Sequence, residues 1–257
     1  IQADKIIVNE NWKAKKRKGE IINFENDSYY FAHNAFSELE TALEIAAPQA
    51  EILVFPGEYK TTNCFVINKS VKLFALTQND DYPLIKSPLI INEMTKDVQI
   101  DGLAFIGEDI NSGTLLKIAA QSENISVKNS VFFGKNLLME VEAVKDLSLK
   151  NNIFETMHTC MKIIQHKENQ SANIGILLQN NIFRETENAQ PDYKHIELYD
   201  EKINLNGILQ AWNNTFNEEK IVGTENKEKL IKIKEKIVDK ENKAKTGKGE
   251  VRLGKRD

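Results

Sequence analysis

The sequence predicts an all-β solenoid, a coil of three short strands per turn stacked along one axis. Three observations carry this. First, five segments rhyme: Asp101-Gly-Leu-Ala-Phe105, Lys128-Asn-Ser-Val-Phe132, Lys150-Asn-Asn-Ile-Phe154, Gln179-Asn-Asn-Ile-Phe183 and Trp212-Asn-Asn-Thr-Phe216. Second, the second position of each reads Gly102, Asn129, Asn151, Asn180 or Asn213. Glycine and asparagine accept φ > 0 more easily than other residues, so each segment reads as strand, tight turn, strand. Third, the phenylalanines recur 27, 22, 29 and 33 residues apart, a period typical of solenoid repeats.

The elements follow in chain order. Residues 1–30 read as an irregular segment whose basic cluster Lys13–Lys18 is a solvated loop. Ser37 and Glu40 have the spacing of a capping box. Phe36, Leu39, Leu43 and Ala46/Ala47 recur at helical spacing, which predicts one helix over 37–47, ended by Pro48. Ile52–Phe55, Cys64–Ile67 and Val71–Leu76 are short apolar strands separated by Pro56-Gly57 and Asn68-Lys-Ser. From Leu89 to Phe216 each cycle offers three strands, for example Leu137–Glu142, Leu147–Leu149 and Ile153–Phe154. Strands this short, with no helices between them, do not make βαβ units. Variable loops on one edge of a coil account for the uneven period.

The body of the solenoid is expected over 31–225, in about six or seven coils. Residues 226–257 differ in character, with 12 Lys and Arg against 6 Asp and Glu. Leu230, Ile233 and Ile237 suit one face of a short helix over the end of the solenoid. Beyond Lys240 a polar tail or linker is expected. Because this tail is basic while the net charge is -4, the body is acidic, which does not suit nucleic acid as a partner. No run approaches the ~18 apolar residues of a membrane helix. Cys64 and Cys160 sit in apolar strand-like surroundings and read as free thiols, with a pairing left open. Ile1-Gln2-Ala3 suits the residues beside a signal-peptidase cut, and the Asn/Lys/Ile-rich, Arg-poor composition suits an AT-rich genome. A bacterial protein, secreted or at the cell surface, is the resulting expectation.

The stretch Phe36–Leu43, then Ala50-Glu-Ile-Leu-Val-Phe-Pro-Gly-Glu-Tyr59, then Ile67-Asn-Lys-Ser-Val-Lys-Leu73, resembles the opening of right-handed parallel β-helix proteins of the pectin-lyase-like superfamily. There a helix caps the first coil, and the Asn-x-apolar-Phe cycles resemble that fold's asparagine ladder. The resemblance spans about residues 30–217 and implies the fold. It implies no single activity, because the superfamily includes lyases, hydrolases, esterases, tailspikes, adhesins and catalytically silent domains.

In its enzymes the site lies on the outer face of one sheet, flanked by long loops. Alternation identifies that face here. The apolar pairs of Leu116-Lys-Ile118, Met139-Glu-Val141, Met161-Lys-Ile163 and Ile196-Glu-Leu198 point inward, so Lys117, Glu140, Lys162 and Glu197 stack outside. Glu142 and Tyr199 lie one step along, with His166 and His195 nearby, and the Glu185–Lys194 loop forms a wall. One reading is a surface charge ladder. The other is a groove for a sugar chain, with Lys162 or His166 taking a proton and Lys117, Glu197, Tyr199, His195 and Arg184 binding substrate. Glu140 and Glu142 then offer oxygen ligands of the kind calcium prefers, the one cofactor the sequence suggests. Asp80-Asp81 reads as a pair of solvated turn acids, and the four histidines lack zinc spacing. No complete lyase or hydrolase motif is present. The preferred expectation is an exported, non-catalytic domain that binds glycan or supports a cell-surface assembly. The alternative is a polysaccharide lyase or glycoside hydrolase. The oligomeric state stays open.

Overall fold

The computed structural model describes residues 2–77, 81–107, 113–164, 175–186, 194–199, 209–216 and 222–223. The described strands form a right-handed parallel β-helix with three long sheets, one of nine strands and two of seven. Each coil contributes one strand to each sheet in turn. Residues 123–128, 131–134 and 139–142 make one such coil, and 145–150, 153–156 and 159–164 the next. The second and third sheets are called here the phenylalanine sheet and the charged sheet.

The turn between the nine-stranded and phenylalanine sheets is the one that the rhyme predicts. Gly102, Asn129, Asn151, Asn180 and Asn213 all have positive φ, from 52° to 80°. Their side chains are hydrogen-bonded from coil to coil on the outside. Asn180 Nδ2 donates to Asn151 Oδ1 (3.1 Å), Asn151 Nδ2 to Asn129 Oδ1 (3.1 Å) and Asn129 Nδ2 to Asp101 Oδ1 (2.7 Å).

A second ladder lies one residue further on, fully buried. The amide of Asn152 donates to Val127 O and to Asn181 Oδ1, and its backbone N–H donates to the same Asn181 oxygen. Asn181 repeats this with Leu149 O and Asn214 Oδ1, and Asn152 Oδ1 accepts from Ser130 N–H. Beside it the phenylalanines stack. Phe105, Phe132, Phe154 and Phe183 have successive ring centroids 4.6, 4.9 and 4.8 Å apart and interplanar angles of 3–7°. All four are fully buried. Each such pair contributes on the order of 1 kcal/mol beyond its area burial.

The capping end departs from expectation in three ways. Residues 1–30 are not irregular. Ala3–Val8 is a parallel strand between Ala35–Phe36 and Ala46–Val54, and Ile21–Phe24 pairs antiparallel with Asp27–Tyr30. A small second core of Ile7, Tyr29, Ala35 and Phe55, with Trp12 and Phe24 against it, seats this hairpin on the outer face of the nine-stranded sheet. The helix is shorter than predicted, Leu39–Ile45, because Ala46 turns out to extended geometry (φ -51°, ψ 135°) and begins the next strand. The capping box does not form. Glu38 is the N-cap and makes no side-chain cap bond, while Glu40 accepts from Thr61 Oγ1 at 3.0 Å. The helix still closes the first coil, burying Leu39, Ala42 and Leu43 against the strands at 3–8, 46–54 and 65–67.

Cys64 and Cys160 both lie outside any disulfide. Cys160 is buried and Cys64 half-buried. Among the described residues no helix is long and apolar enough to cross a membrane. The short C-terminal helix and tail expected over 226–257 lie outside the described residues.

Candidate functional site

The charged sheet positions its outer residues through inward apolar pairs. Leu116, Ile118, Met139, Val141, Met161, Ile163 and Ile196 are fully buried, so the residues between them must face out. The register is direct: Lys117 opposes Glu140, Glu140 opposes Lys162, and Lys162 opposes Glu197. Parallel strands ~4.8 Å apart thus carry charges of alternating sign. The row continues toward the capping helix as Ile90 and Val66, and toward the other end as Gly223. Sequence reading missed this apolar extension, although Phe65-Val-Ile67 and Leu89-Ile-Ile91 show the same in-out-in pattern.

Lys117 is half-buried between two carboxylates. Its ammonium lies 3.0 Å from Glu140 Oε1 and 2.7 Å from Glu142 Oε1. Partial burial pulls its pKa down, but the hydrogen bonds to Glu142 and Glu140 outweigh that, and the net shift is upward. Lys117 is therefore held in its charged form. The two carboxylates predicted to hold calcium converge on this ammonium. Among the described residues no group of three or more His, Cys, Asp or Glu side chains is placed to hold a metal ion. Glu197 is paired with Lys194 at 2.6 Å, a partner that sequence reading placed only in the wall loop.

Three predicted residues are not brought to this face, or lie beyond description. His195 is not on the outer face. It is fully buried and meets the Phe183 ring edge-on, with centroids 6.4 Å apart at 68°. It stands at the corner where the chain enters the charged sheet, and there alternation does not hold, since the adjacent Ile196 is buried too. Arg184 belongs to the phenylalanine sheet, where it opposes Glu155 in register and binds it through Nε (2.6 Å) and Nη2 (2.5 Å). It clamps a carboxylate of its own chain and does not overlook the row. His166 lies outside the described residues, as does most of the Glu185–Lys194 wall. The Tyr199 backbone pairs with Ile164, in register with Glu142. Lys162 occupies its expected place between Glu140 and Glu197.

Two clefts lie at the capping end instead. One, of about 450 Å³, is lined by Glu10, Lys13, Glu38, Glu58, Lys60 and Thr61 among others. The second, of about 800 Å³, includes Lys18, Tyr30, His33, Asn34 and Thr41. Neither includes a residue of the charged row. Asp81 is exposed, as a turn acid should be, and Asp80 lies outside the described residues.

No protein family and no curated protein matches this chain. Among solved structures it is similar to a rhamnogalacturonan lyase, at 8% identity and a TM-score of 0.43 over 84% of this chain and 67% of that one. It is also similar to the pectin methylesterase from Aspergillus niger, at 10% identity and a TM-score of 0.38 over 77% of this chain and 73% of that one. Identity at this level transfers no residue role.

Proposed function

We propose that this is a non-catalytic β-helix domain that binds polysaccharide at the cell surface through the outer face of the charged sheet. One observation carries the reading: Lys117 is bound by Glu140 and Glu142 together, with its proton stabilised. Both carboxylates that a calcium-assisted enzyme would need on this face are thereby engaged by a cation of the chain itself. The pairing of Arg184 with Glu155 on another sheet removes a planar clamp for uronate carboxylates. The reading is supported by an alternately charged strip of polar groups at a fixed ~4.8 Å rise, suited to hydroxyls and carboxylates repeated along a chain. Calcium has no necessary role in this reading, because both carboxylates already bind the ammonium of Lys117.

The test is affinity electrophoresis of the full chain through gels containing neutral or uronate polymers, with and without Ca²⁺. Retardation by at least one polymer is expected, weakened in Lys162→Ala and Glu197→Gln. The same polymers are followed by ultraviolet absorbance for unsaturated uronates and by reducing-end assay. Product release that disappears in Glu140→Gln and Lys162→Ala would replace the binding reading with that of a lyase or hydrolase. Retardation unchanged in both row variants would move the site elsewhere.

A further inference from the structure

The two clefts at the capping end share the helix Leu39–Ile45 as a wall, and their polar groups are in opposite states. In the smaller one, three of the four carboxylates are engaged by the chain itself. Glu38 pairs with Lys13 (3.2 Å), Glu58 pairs with Lys86 (2.6 Å), and Glu40 accepts from Thr61. The larger cleft, of about 800 Å³, is lined by the other side of the helix and by the loop 30–34. Lys18, His33 and Thr41 line it, and their side chains make no hydrogen bond or ion pair with any described residue. Lys18 ends the basic run that starts at Lys13. Lys13 and Lys16 in that run are taken by Glu38 and Glu20, and Lys18 is not. Among the described residues no Asp or Glu lines this cleft. Tyr30 stands at it 46% exposed, while Ala3, Phe36 and Ile45 supply apolar lining.

We propose that this cleft binds a sugar ring that carries one carboxylate or sulfate. Charge selects an anion, because the lining offers an unpaired ammonium and no carboxylate. A single lysine is a point charge suited to one anionic group. A polyphosphate would call for a nest of backbone N–H groups or a bound cation. The remaining groups select a sugar among anions. Tyr30 offers a ring whose negative face attracts the C–H groups of a pyranose. The Thr41 hydroxyl and a neutral His33 imidazole each donate and accept, as sugar hydroxyls do. Asn34 Oδ1 accepts from Tyr30 N–H (2.7 Å), which orients its amide and leaves Nδ2 to donate. The loop that carries these groups is already fixed. His33 and Asn34 N–H donate to Tyr30 O (3.0 and 3.1 Å), Ala32 N–H donates to Ala35 O (2.8 Å), and Ala32 is held at φ 63°. A ligand therefore meets a preorganised wall and orders little on binding. The volume falls in the range of small-ligand sites, about 300–1,000 Å³. This site is separate from the charged row, none of whose residues line it.

Isothermal titration calorimetry of the full chain tests this, with methyl glucuronide, glucose 6-sulfate, methyl glucoside, benzoate and sodium sulfate as probes. At least one of the two anionic sugars should bind, about tenfold or more tighter than the neutral glucoside. The tighter of the two assigns the anionic group as carboxylate or sulfate. Lys18→Gln should abolish the preference for the anionic sugar. Tyr30→Ala should weaken that sugar roughly fivefold or more. Both side chains are exposed, so circular dichroism should be the same in each variant as in the parent chain. Failure of both anionic sugars to bind would overturn the proposal. So would binding no tighter than that of sulfate or benzoate alone, or binding indifferent to both variants.

Discussion

Asn181 accepts two hydrogen bonds from Asn152 and donates to Leu149 O and Asn214 Oδ1, all shielded from water. Replacing it with alanine leaves the Asn152 N–H and amide and the Leu149 carbonyl without these partners in a dry interior. Asn181→Ala should therefore cost about 2–4 kcal/mol. Asn151 stands in the outer ladder, where water can replace its neighbours, and its main demand is φ 56°. Asn151→Gly keeps that conformation and should change stability by less than about 1 kcal/mol. Urea midpoints of the two variants decide it, and equal shifts would show that the inner ladder carries no special weight. The chain also makes left-handed turns where no Asn or Gly announces them: Met94, Gln121 and Ala143 have φ of 59°, 62° and 42°. Each is strained by about 1–2 kcal/mol and is held there by rung pairing, as in Met94 N–H to Ala120 O and Gln121 N–H to Ala143 O.

At the scale of elements, the helix Leu39–Ile45 has a vacant capping position. Glu38 has N-cap geometry (φ -119°, ψ 126°), but its side chain makes no bond to the first turn. Aspartate is among the best N-cap residues, and Glu38→Asp keeps the negative charge near Lys13. It should raise stability by about 0.5–1 kcal/mol, whereas Ser37→Ala should be neutral within about 0.5 kcal/mol. A melting series reads both, and loss of stability in Ser37→Ala would restore the capping box. That box was legible as a spacing but not formed, because the helix begins two residues late. The coils were legible because turn chemistry and in-out-in alternation agree in every cycle, and that agreement placed Lys117, Glu140, Lys162 and Glu197 in one row. The hairpin at 21–30 was not. Ile21 and Ile22 are adjacent, as are Tyr29 and Tyr30, and Glu25 rather than glycine takes the positive φ (54°). His195 was misplaced because alternation holds within strands and not at corners. The inner ladder was signalled by the doubled Asn151-Asn152, Asn180-Asn181 and Asn213-Asn214. The turn accounts for the first of each pair and leaves the second without a role until the chain is coiled.

At the scale of the whole molecule, ion pairs join several neighbouring coils along the outside. Lys96, Glu123 and Lys145 make such a line on the nine-stranded sheet, with contacts of 2.9 and 2.5 Å. The hydrogen bonds from Lys145 and Lys96 hold the Glu123 carboxyl down to about 2, against an ordinary 4.5. Asp27 and Glu58 are lowered in the same direction by Lys5 and Lys86. A carboxylate with a depressed folded-state pKa stabilises the fold above its unfolded value and loses that contribution as pH falls through its folded value. Acid weakening should therefore begin near pH 4.5 and deepen toward pH 2 for Glu123. Lys117 has the opposite sign. Its raised pKa adds stability below 10.5 that is lost as pH rises past its folded value. Salt distinguishes this account from a simple loss of single pairs. Near neutral pH these exposed pairs attract, and added salt should lower the melting temperature slightly. Near pH 2 most carboxylates are protonated, Glu123 only in part, and the chain's 34 Lys and Arg, several of them stacked in register, repel one another. Lys128 and Lys150 already oppose each other directly. There salt should raise the melting temperature. Melting curves at both pH values, with NaCl at low and high concentration, check the reversal. Salt effects of the same sign at both would mean that rung-to-rung electrostatics do not govern the acid stability of the solenoid.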